Sequence, residues 1–404
     1  MKILVLGAGR MGLGAAYDLA HNSVGVESVT VADVDEGRAR AVAETLKSDR
    51  VRAAHVNVED GARTIELMRD HDAAISCVTY FHNLSLARAA IEARTNFCDL
   101  GGNNTVVDAE LALDAEARDA GINIIPDCGL APGMVSVLAA HGAARFPHLD
   151  ELHIRVGGLP QNPRPPLDYQ IVFSVEGLIN EYIERARVIR EGRILEVESM
   201  TEVESLDFPA PFGRMEAFQT SGGTSTLPDT FTGRVRELDY KTIRYPGHCE
   251  RFRLLIDLGL CDSVAVDVDG TSVPPRRLLG ELLYRHLPAD EPDAVLIRLE
   301  FVGQLGDEED AAVRKDEDTA VRKREGSGAH ARLRYDIIDR FDARTGLSAM
   351  QRTTAFPASV IAQMMARGLT TQKGAVPQER CVPPARFVEE LAARDIRISE
   401  SFVS

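Results

Sequence analysis

The first residues whose types and spacing can do chemistry are three glycines and one acid. Residues 2–6 form an apolar, strand-like run that leads into Gly7-Ala8-Gly9-Arg10-Met11-Gly12, and residues 13–20 then read as a helix. Gly7 permits a tight turn, Gly9 lets backbone approach a pyrophosphate, and Gly12 lets helix and strand pack closely. The helix N-terminus offers N–H groups to the anion. GxGxxG alone is a weak motif. Here it follows a strand and opens a helix, and the second strand-like run ends at Asp33, 21 residues after Gly12. An acid there accepts hydrogen bonds from ribose hydroxyls and repels a 2′-phosphate. The pattern predicts an NAD site rather than an NADP site, with Arg10, Met11 and Val34 beside it. The bland alternative is a glycine turn in an α/β fold that holds no cofactor.

Further candidates stand where later strands should end. Asn57 and Val58 are expected near the adenine, and Cys77, Val78, Thr79, Leu100 and Gly101 past the ribose and nicotinamide. Asp127, just before Gly129-Leu130-Ala131-Pro132-Gly133, could orient an amine or a water, or could simply cap the helix after Pro132. Two polar stretches follow. Thr220-Ser221-Gly222-Gly223-Thr224-Ser225-Thr226 has hydroxyls suited to a carboxylate or carboxamide, and read alone it is a plain surface loop. The stretch from Tyr240 to His248 carries Lys241, Arg244 and His248, three potential cations within the eight residues 241–248. Arg244 suits a bidentate grip on a carboxylate, and Lys241 or His248 could move protons. A cationic surface strand is the alternative.

These residues need a scaffold. Runs at 2–6, 28–32, 51–58, 72–78, 96–100 and 122–127 read as six strands, with helices at 37–47, 84–94 and 108–120 between them. Strands that alternate with helices predict a Rossmann-type, doubly wound parallel sheet. After about residue 132 the pattern changes to strands at 152–156, 264–268, 294–301 and 332–338, with helices at 248–258 and 277–285. That arrangement predicts an α+β substrate and dimerisation domain with a mixed, largely antiparallel sheet. A charged segment repeats at 309–315 and 317–323, EDAAVRK then EDTAVRK, and reads as a duplicated surface loop over 307–328.

Composition bounds the rest. With 62 acids against 46 Lys and Arg, the net charge of −16 and pI near 5.2 argue against nucleic acid or an anionic membrane surface. Trp is absent and aromatics are 5%, which disfavours a stacking platform. No apolar run reaches the roughly 18 residues of a membrane span, and the first residues do not read as a signal peptide. The six Cys form no CxxC pair and no zinc-like cluster, so free thiols, no metal and a cytoplasmic protein are expected. No GxSxG, HExxH, Walker or EF-hand pattern occurs.

The motifs VLGAGRMG (5–12), IPDCGLAPGM (125–134), VGGLP (156–160), VFSVEGL (172–178), TSGGTST (220–226) and YKTIRYPGH (240–248) together resemble the saccharopine dehydrogenase-like family over nearly the whole chain. The resemblance implies a discontinuous NAD domain, 1–131 with 355–404, around a substrate domain at 132–354. It implies NAD-dependent oxidative deamination of the ε-amine of L-lysine, with ammonia released and the semialdehyde closing to a ring. Arg244 is similar to the family arginine that holds the substrate α-carboxylate. Asp127, His82, Lys241 and His248 are the candidates for handling protons, and Thr226 and Tyr169 for lining the substrate. The loop at 307–328 is longer than the family pattern. Two other readings stay open: a secondary-amine reductase of the saccharopine or carboxynorspermidine type, and an NAD-binding regulatory protein without turnover. A homodimer is expected.

Overall fold

The computed structural model describes residues 1–305 and 330–403. The duplicated charged segment at 307–328 lies outside the described residues. The chain divides into two compact units: Met1–Ala144 with Ser225–Leu227 and Gln351–Arg397, and Arg145–Thr224 with Pro228–Met350 and Ile398–Ser404.

The first unit begins with β1 (Lys2–Leu6), α1 (Arg10–His21), β2 (Ser28–Asp33), α2 (Glu36–Leu46), β3 (Val51–His55), α3 (Gly61–Arg69) and β4 (Ala73–Ser76). A single 3-10 turn, Tyr80–His82, precedes α4 (Asn83–Ala93), β5 (Asn96–Asp99), α5 (Asn104–Leu111), α6 (Asp114–Ala120), β6 (Asn123–Ile125) and α7 (Met134–Ala143). The strands are nearly all apolar because helices cover both faces of a parallel sheet. Leu4, Leu6, Ala74, Phe97 and Ile124 pack against Met68, Leu86, Ala90 and Ala117 of the helices. Burying a side chain the size of Phe97 contributes about 1.5–3 kcal/mol. The helix expected over 108–120 is two helices. The chain tightens at Leu113, whose N–H bonds the Glu110 carbonyl and whose side chain turns into the core.

In the second unit come β7 (His148–Pro160), α8 (Val175–Ile183), β8 (Ala186–Arg190), β9 (Arg193–Val197), β10 (Glu204–Phe208) and β11 (Gly213–Gln219). The short α9 (Leu227–Phe231) leads to β12 (Glu237–Arg244), α10 (His248–Asp257), β13 (Val266–Val268), β14 (Thr271–Val273), α11 (Pro275–His286), β15 (Asp293–Gln304) and β16 (His330–Arg340). The chain then returns to the first unit with α12 (Ala349–Ala366), β17 (Gly374–Ala375), α13 (Gln378–Cys381) and α14 (Pro384–Ala392), and ends in the second with β18 (Ser399–Val403).

The first unit's sheet has the order β17-β6-β5-β4-β1-β2-β3, with every pairing parallel. Order reverses between β1 and β4, which opens a crevice at the carboxyl ends of the strands. The segment 351–397 is tied to α1 through buried Asp18, which accepts from Ser359 Oγ at 2.6 Å and Arg394 Nε at 2.6 Å. The second unit's nine-stranded sheet runs β10-β11-β12-β7-β15-β16-β18, with β8 and β9 branching from β12. Among the described residues only β7 and β12 pair in parallel in this sheet, so it is mixed and largely antiparallel.

Two expectations change in detail. The C-terminal return to the first unit stops at Arg397, because β18 pairs antiparallel with β16. The strand expected at 264–268 is an exposed two-stranded hairpin, β13 with β14, separate from the main sheet. Among the described residues no helix is long and apolar enough to cross a membrane.

Candidate functional site

In the first unit the glycine loop closes on β2. Gly7 has φ +101, and a Cβ there would stand 2.8 Å from the Cys77 carbonyl, so the loop crosses β4 backbone to backbone. A Cβ at Gly12 would stand 1.9 Å from the Gly7 carbonyl oxygen, which is the close helix–strand packing this position requires. Gly9 differs: it is the N-cap of α1, and a Cβ there meets no atom within 4 Å. The loop is therefore open on the side where α1 presents unpaired N–H groups. Asp33 ends β2, and its carboxylate accepts from Ala8 N–H at 2.7 Å and Asp35 N–H at 2.9 Å. These bonds fix an anionic acceptor at the loop. The open cradle, the helix terminus and the oriented acid fit a dinucleotide.

Asp127 follows β6 on the same edge. It is 1% exposed and sits at φ +61, an uncommon conformation for a residue with a side chain. The Ser225 hydroxyl donates to Oδ2, whereas Oδ1 is buried with no hydrogen-bond partner among the described residues. Burial, with the neighbouring Asp99 charge, pushes the carboxyl up to about 8, against the lowering bond from Ser225. The helix-capping reading fails, because α7 starts at Met134 and the Gly133 N–H is taken by Ser136 Oγ. Next to Ser225, the Thr226 hydroxyl donates to Glu379 Oε1 at 2.9 Å.

The second unit buries Arg244 at the end of β12, 3% exposed. Its Nε donates to Tyr182 Oη at 2.8 Å, Nη1 donates to the Ile243 carbonyl at 2.9 Å, and the guanidinium lies 4.9 Å from the Tyr169 ring centroid. The Leu167 carbonyl can only accept, so His248 Nδ1 carries the proton it donates there at 2.9 Å. His248 Nε2 is then the acceptor for Tyr182 Oη–H at 3.1 Å. Burial and the Arg244 charge hold His248 down at about 3, so it is neutral. Arg244 Nη2 makes no hydrogen bond among the described residues, which leaves one face of a fixed cation for an anion. Nearby, Glu181 accepts from the Thr242 hydroxyl at 2.5 Å and the Thr220 hydroxyl at 3.3 Å.

Comparison with known proteins places most of the chain. Residues 3–125 match the model of the saccharopine dehydrogenase NADP binding domain, and residues 129–396 that of the saccharopine dehydrogenase C-terminal domain. The chain belongs to the saccharopine dehydrogenase family. Within it, the chain is 24% identical over 285 residues to the NADP(+), L-glutamate-forming saccharopine dehydrogenase of Saccharomyces cerevisiae, covering 66% of this chain and 60% of that one. It is 25% identical over 308 residues to the carboxynorspermidine synthase of Vibrio cholerae, covering 70% of this chain and 72% of that one. Among solved structures, apo saccharopine dehydrogenase (L-Glu forming) from Saccharomyces cerevisiae has the same fold, with a TM-score of 0.78 at 18% identity and full coverage of both chains. The chain thus spans three-fifths of the yeast relative's sequence where the two align.

Several residues expected in this saccharopine dehydrogenase-family site stand elsewhere. Lys241 lies on the opposite face of β12 from Arg244, because side chains alternate along a strand. It is 5% exposed and paired to Glu204 Oε2 at 3.2 Å, so it is a member of an ion-pair network with Arg155 and Asp239 and not a free base. His248 is fully buried with both ring nitrogens engaged, so it orients Tyr182 and has no nitrogen left over to accept a proton. Tyr169 is 2% exposed and stacks on Arg244. His82 ends the turn after β4, half-buried. The TSGGTST stretch is not a surface loop: Thr220, Ser221, Thr224, Ser225 and Thr226 are all buried, and the carboxylates its hydroxyls hold are the protein's own.

Among the dinucleotide candidates, Asn57 Oδ1 caps a turn at Glu59 N–H, Val58 packs into the core, and Thr79 opens the 3-10 turn. Gly101 has a different use from the one expected. A Cβ there would stand 1.9 Å from Asp127 Oδ1, so its missing side chain makes room for that carboxyl. Sequence reasoning missed Asp99, Glu110, Tyr182 and Glu379 as members of these clusters. Asp99 was visible as the end of a strand, Glu110 read as an ordinary position on the helix expected over 108–120, and Tyr182 fell in a stretch assigned to no element.

Proposed function

We propose that this chain is an NAD-dependent amine dehydrogenase, a lysine 6-dehydrogenase that converts L-lysine, NAD and water to 2-aminoadipate 6-semialdehyde, ammonia and reduced NAD. The observation that carries the reading is Asp127: a buried carboxyl with one oxygen that has no hydrogen-bond partner among the described residues, on the carboxyl edge of a dinucleotide-binding sheet. Bound nicotinamide supplies the hydride acceptor. Asp33 and the open cradle at Gly9 hold the dinucleotide, and the Asp33 carboxylate supports NAD over NADP by repelling a 2′-phosphate.

The chain's own residues handle protons and orientation. A substrate ammonium must lose a proton before its carbon can lose hydride. Asp127 Oδ1 is the acceptor; burial makes its ionised form a stronger base than an ordinary carboxylate. Ser225 fixes Oδ2, so the carboxyl cannot rotate away from that task. Once protonated, Asp127 is an acid able to return the proton when water cleaves the imine and ammonia departs. In the second unit Arg244, pre-oriented by Tyr182 and Tyr169, has the chemistry to hold an α-carboxylate.

The relatives' names favour a second reading, a dehydrogenase acting on a secondary amine of the saccharopine or carboxynorspermidine type. Incubation with NAD and lysine, ornithine, saccharopine or carboxynorspermidine separates the two. Reduction with lysine accompanied by ammonia supports the first. Reduction with saccharopine or carboxynorspermidine and no ammonia replaces it with the second. Tight dinucleotide binding without turnover on any amine rejects both in favour of a regulatory role.

We also infer a homodimer: Leu254 on α10, Leu258 just after it, and Leu278, Leu282 and Tyr284 on α11 are exposed apolar side chains of the kind interfaces bury. Six free cysteines support a reducing compartment, the cytoplasm.

A further inference from the structure

We propose that Asp99 and Glu110 form a carboxyl pair sharing one proton, which positions Asp127 and sets how tightly Asp127 holds its own proton. The proposal rests on the reading of Asp127 as the proton-handling group. Asp99, the last residue of β5, grips the segment after β6 at two points. Its Oδ1 accepts the Asp127 N–H at 3.3 Å, and its carbonyl accepts the Cys128 N–H at 2.7 Å. The same Oδ1 accepts the Gly101 N–H at 2.6 Å, which fixes the glycine whose missing side chain Asp127 Oδ1 occupies. One carboxylate therefore sets both the left-handed backbone of Asp127 and the floor beneath its side chain.

The second half of the pair comes from α5. Glu110 is fully buried, and neither of its oxygens has a donor among the described residues. Asp99 Oδ2 likewise has none, and the two carboxyls face each other within hydrogen-bonding reach. Two ionised carboxylates in a dry interior repel, so the arrangement holds only if one proton lies between them. Burial pushes both carboxyls up, and the Gly101 and Asp127 N–H groups that donate to Asp99 Oδ1 favour the charge on Asp99, so the proton goes to Glu110.

Glu379 on α13 and the exposed Asp108 on α5 also act on Asp127, and both add negative charge. Burial pushes the nearby Cys77 and Cys128 thiols up, so they stay neutral beside Asp99. The electrostatic lever on Asp127 is thus mainly the pair's single negative charge. A purely structural clamp would need no charge, since Asn accepts the same two N–H bonds.

The experiment compares E110Q, D99N/E110Q and D127N with the wild type. In each, the titration of buried carboxyls is followed by infrared spectroscopy of the substrate-free protein, and the acid limb of kcat/KM is followed for the amine that turns over. E110Q keeps a donor to Asp99 and the charge, so the Asp127 midpoint stays near 8, while the band of a carboxyl that remains protonated above it disappears. D99N/E110Q keeps the N–H bonds and removes the charge, so the midpoint falls by about one pH unit or more. An unchanged midpoint in the double variant overturns the proposal, as does survival of the high-pH band in E110Q. Should the double variant not fold, the E110Q band alone decides. D127N tests the underlying reading separately: if no midpoint near 8 vanishes, Asp127 is not the titrating group.

Discussion

Gly9 and Gly12 belong to one motif, yet the same methyl should act on them in opposite ways. At Gly9 φ is −78° and a Cβ meets no protein atom within 4 Å, so Gly9→Ala costs the fold only what Ala costs at an N-cap, about 1 kcal/mol or less. That lowers Tm by only a few degrees, about 2–4 °C for a unit of this size. The space the methyl fills is the open side of the loop, where a pyrophosphate must meet the N–H groups of α1. Losing an N–H bond to a charged phosphate oxygen, about 1.5–3 kcal/mol, weakens binding about 10- to 150-fold. At Gly12 the methyl would lie 1.9 Å from the Gly7 carbonyl oxygen, so Gly12→Ala disrupts the loop itself. Titration of reduced NAD by fluorescence, with a melting curve for each variant, separates the two effects. Gly9→Ala should lose only those few degrees of melting temperature while losing affinity, and Gly12→Ala should lose far more of both. Wild-type affinity in a folded Gly9→Ala protein would show that the dinucleotide does not lie against this loop.

Other consequences are equally specific. Asp33→Ala should weaken NAD about tenfold or more and narrow its advantage over NADP, measured as paired dissociation constants, because it removes a ribose acceptor and a charge that repels phosphate. Arg244→Ala should raise KM for a carboxylate-bearing amine about 10- to 100-fold. Tyr182→Phe, which strands Arg244 Nε and His248 Nε2, should cost about 1–3 kcal/mol of stability by chemical denaturation. Burial would raise Asp239, but the hydrogen bond from His153 and the charge of Arg155 outweigh it and hold the carboxyl well below its usual range. Its contribution is therefore present above the unfolded value of about 4 and is lost as pH falls below it. Asp239→Asn should destabilise the protein at neutral pH by about 3 kcal/mol and flatten the acid limb of stability against pH.

How much of this was legible in the sequence depends on whether a feature is local. The parallel sheet was, because strands buried on both faces are unbroken apolar runs, as at Leu4 to Leu6 and Ala73 to Ile75. The cradle was, because a glycine loop between strand and helix is a contiguous pattern. The face on which Lys241 and Arg244 stand was also available: three residues apart on a strand, they must point to opposite sides. Reading the stretch as a cluster of cations hid that. The Asp99–Glu110–Asp127 cluster was not legible, since its members come from three elements and meet only when β5 and β6 pair. Nor was the use of Gly101, whose neighbour is 26 residues away in sequence and 1.9 Å from its absent Cβ.

The central claim is that carbon 6 of lysine gives up hydride to the dinucleotide and nitrogen leaves as ammonia. Turnover of lysine deuterated at carbon 6 with NAD, followed by mass spectrometry of the dinucleotide and assay of ammonia, tests it directly. The account predicts one deuterium in each reduced dinucleotide and one ammonia for each deuterium transferred. Unlabelled reduced dinucleotide, or turnover with saccharopine and none with lysine, would contradict it.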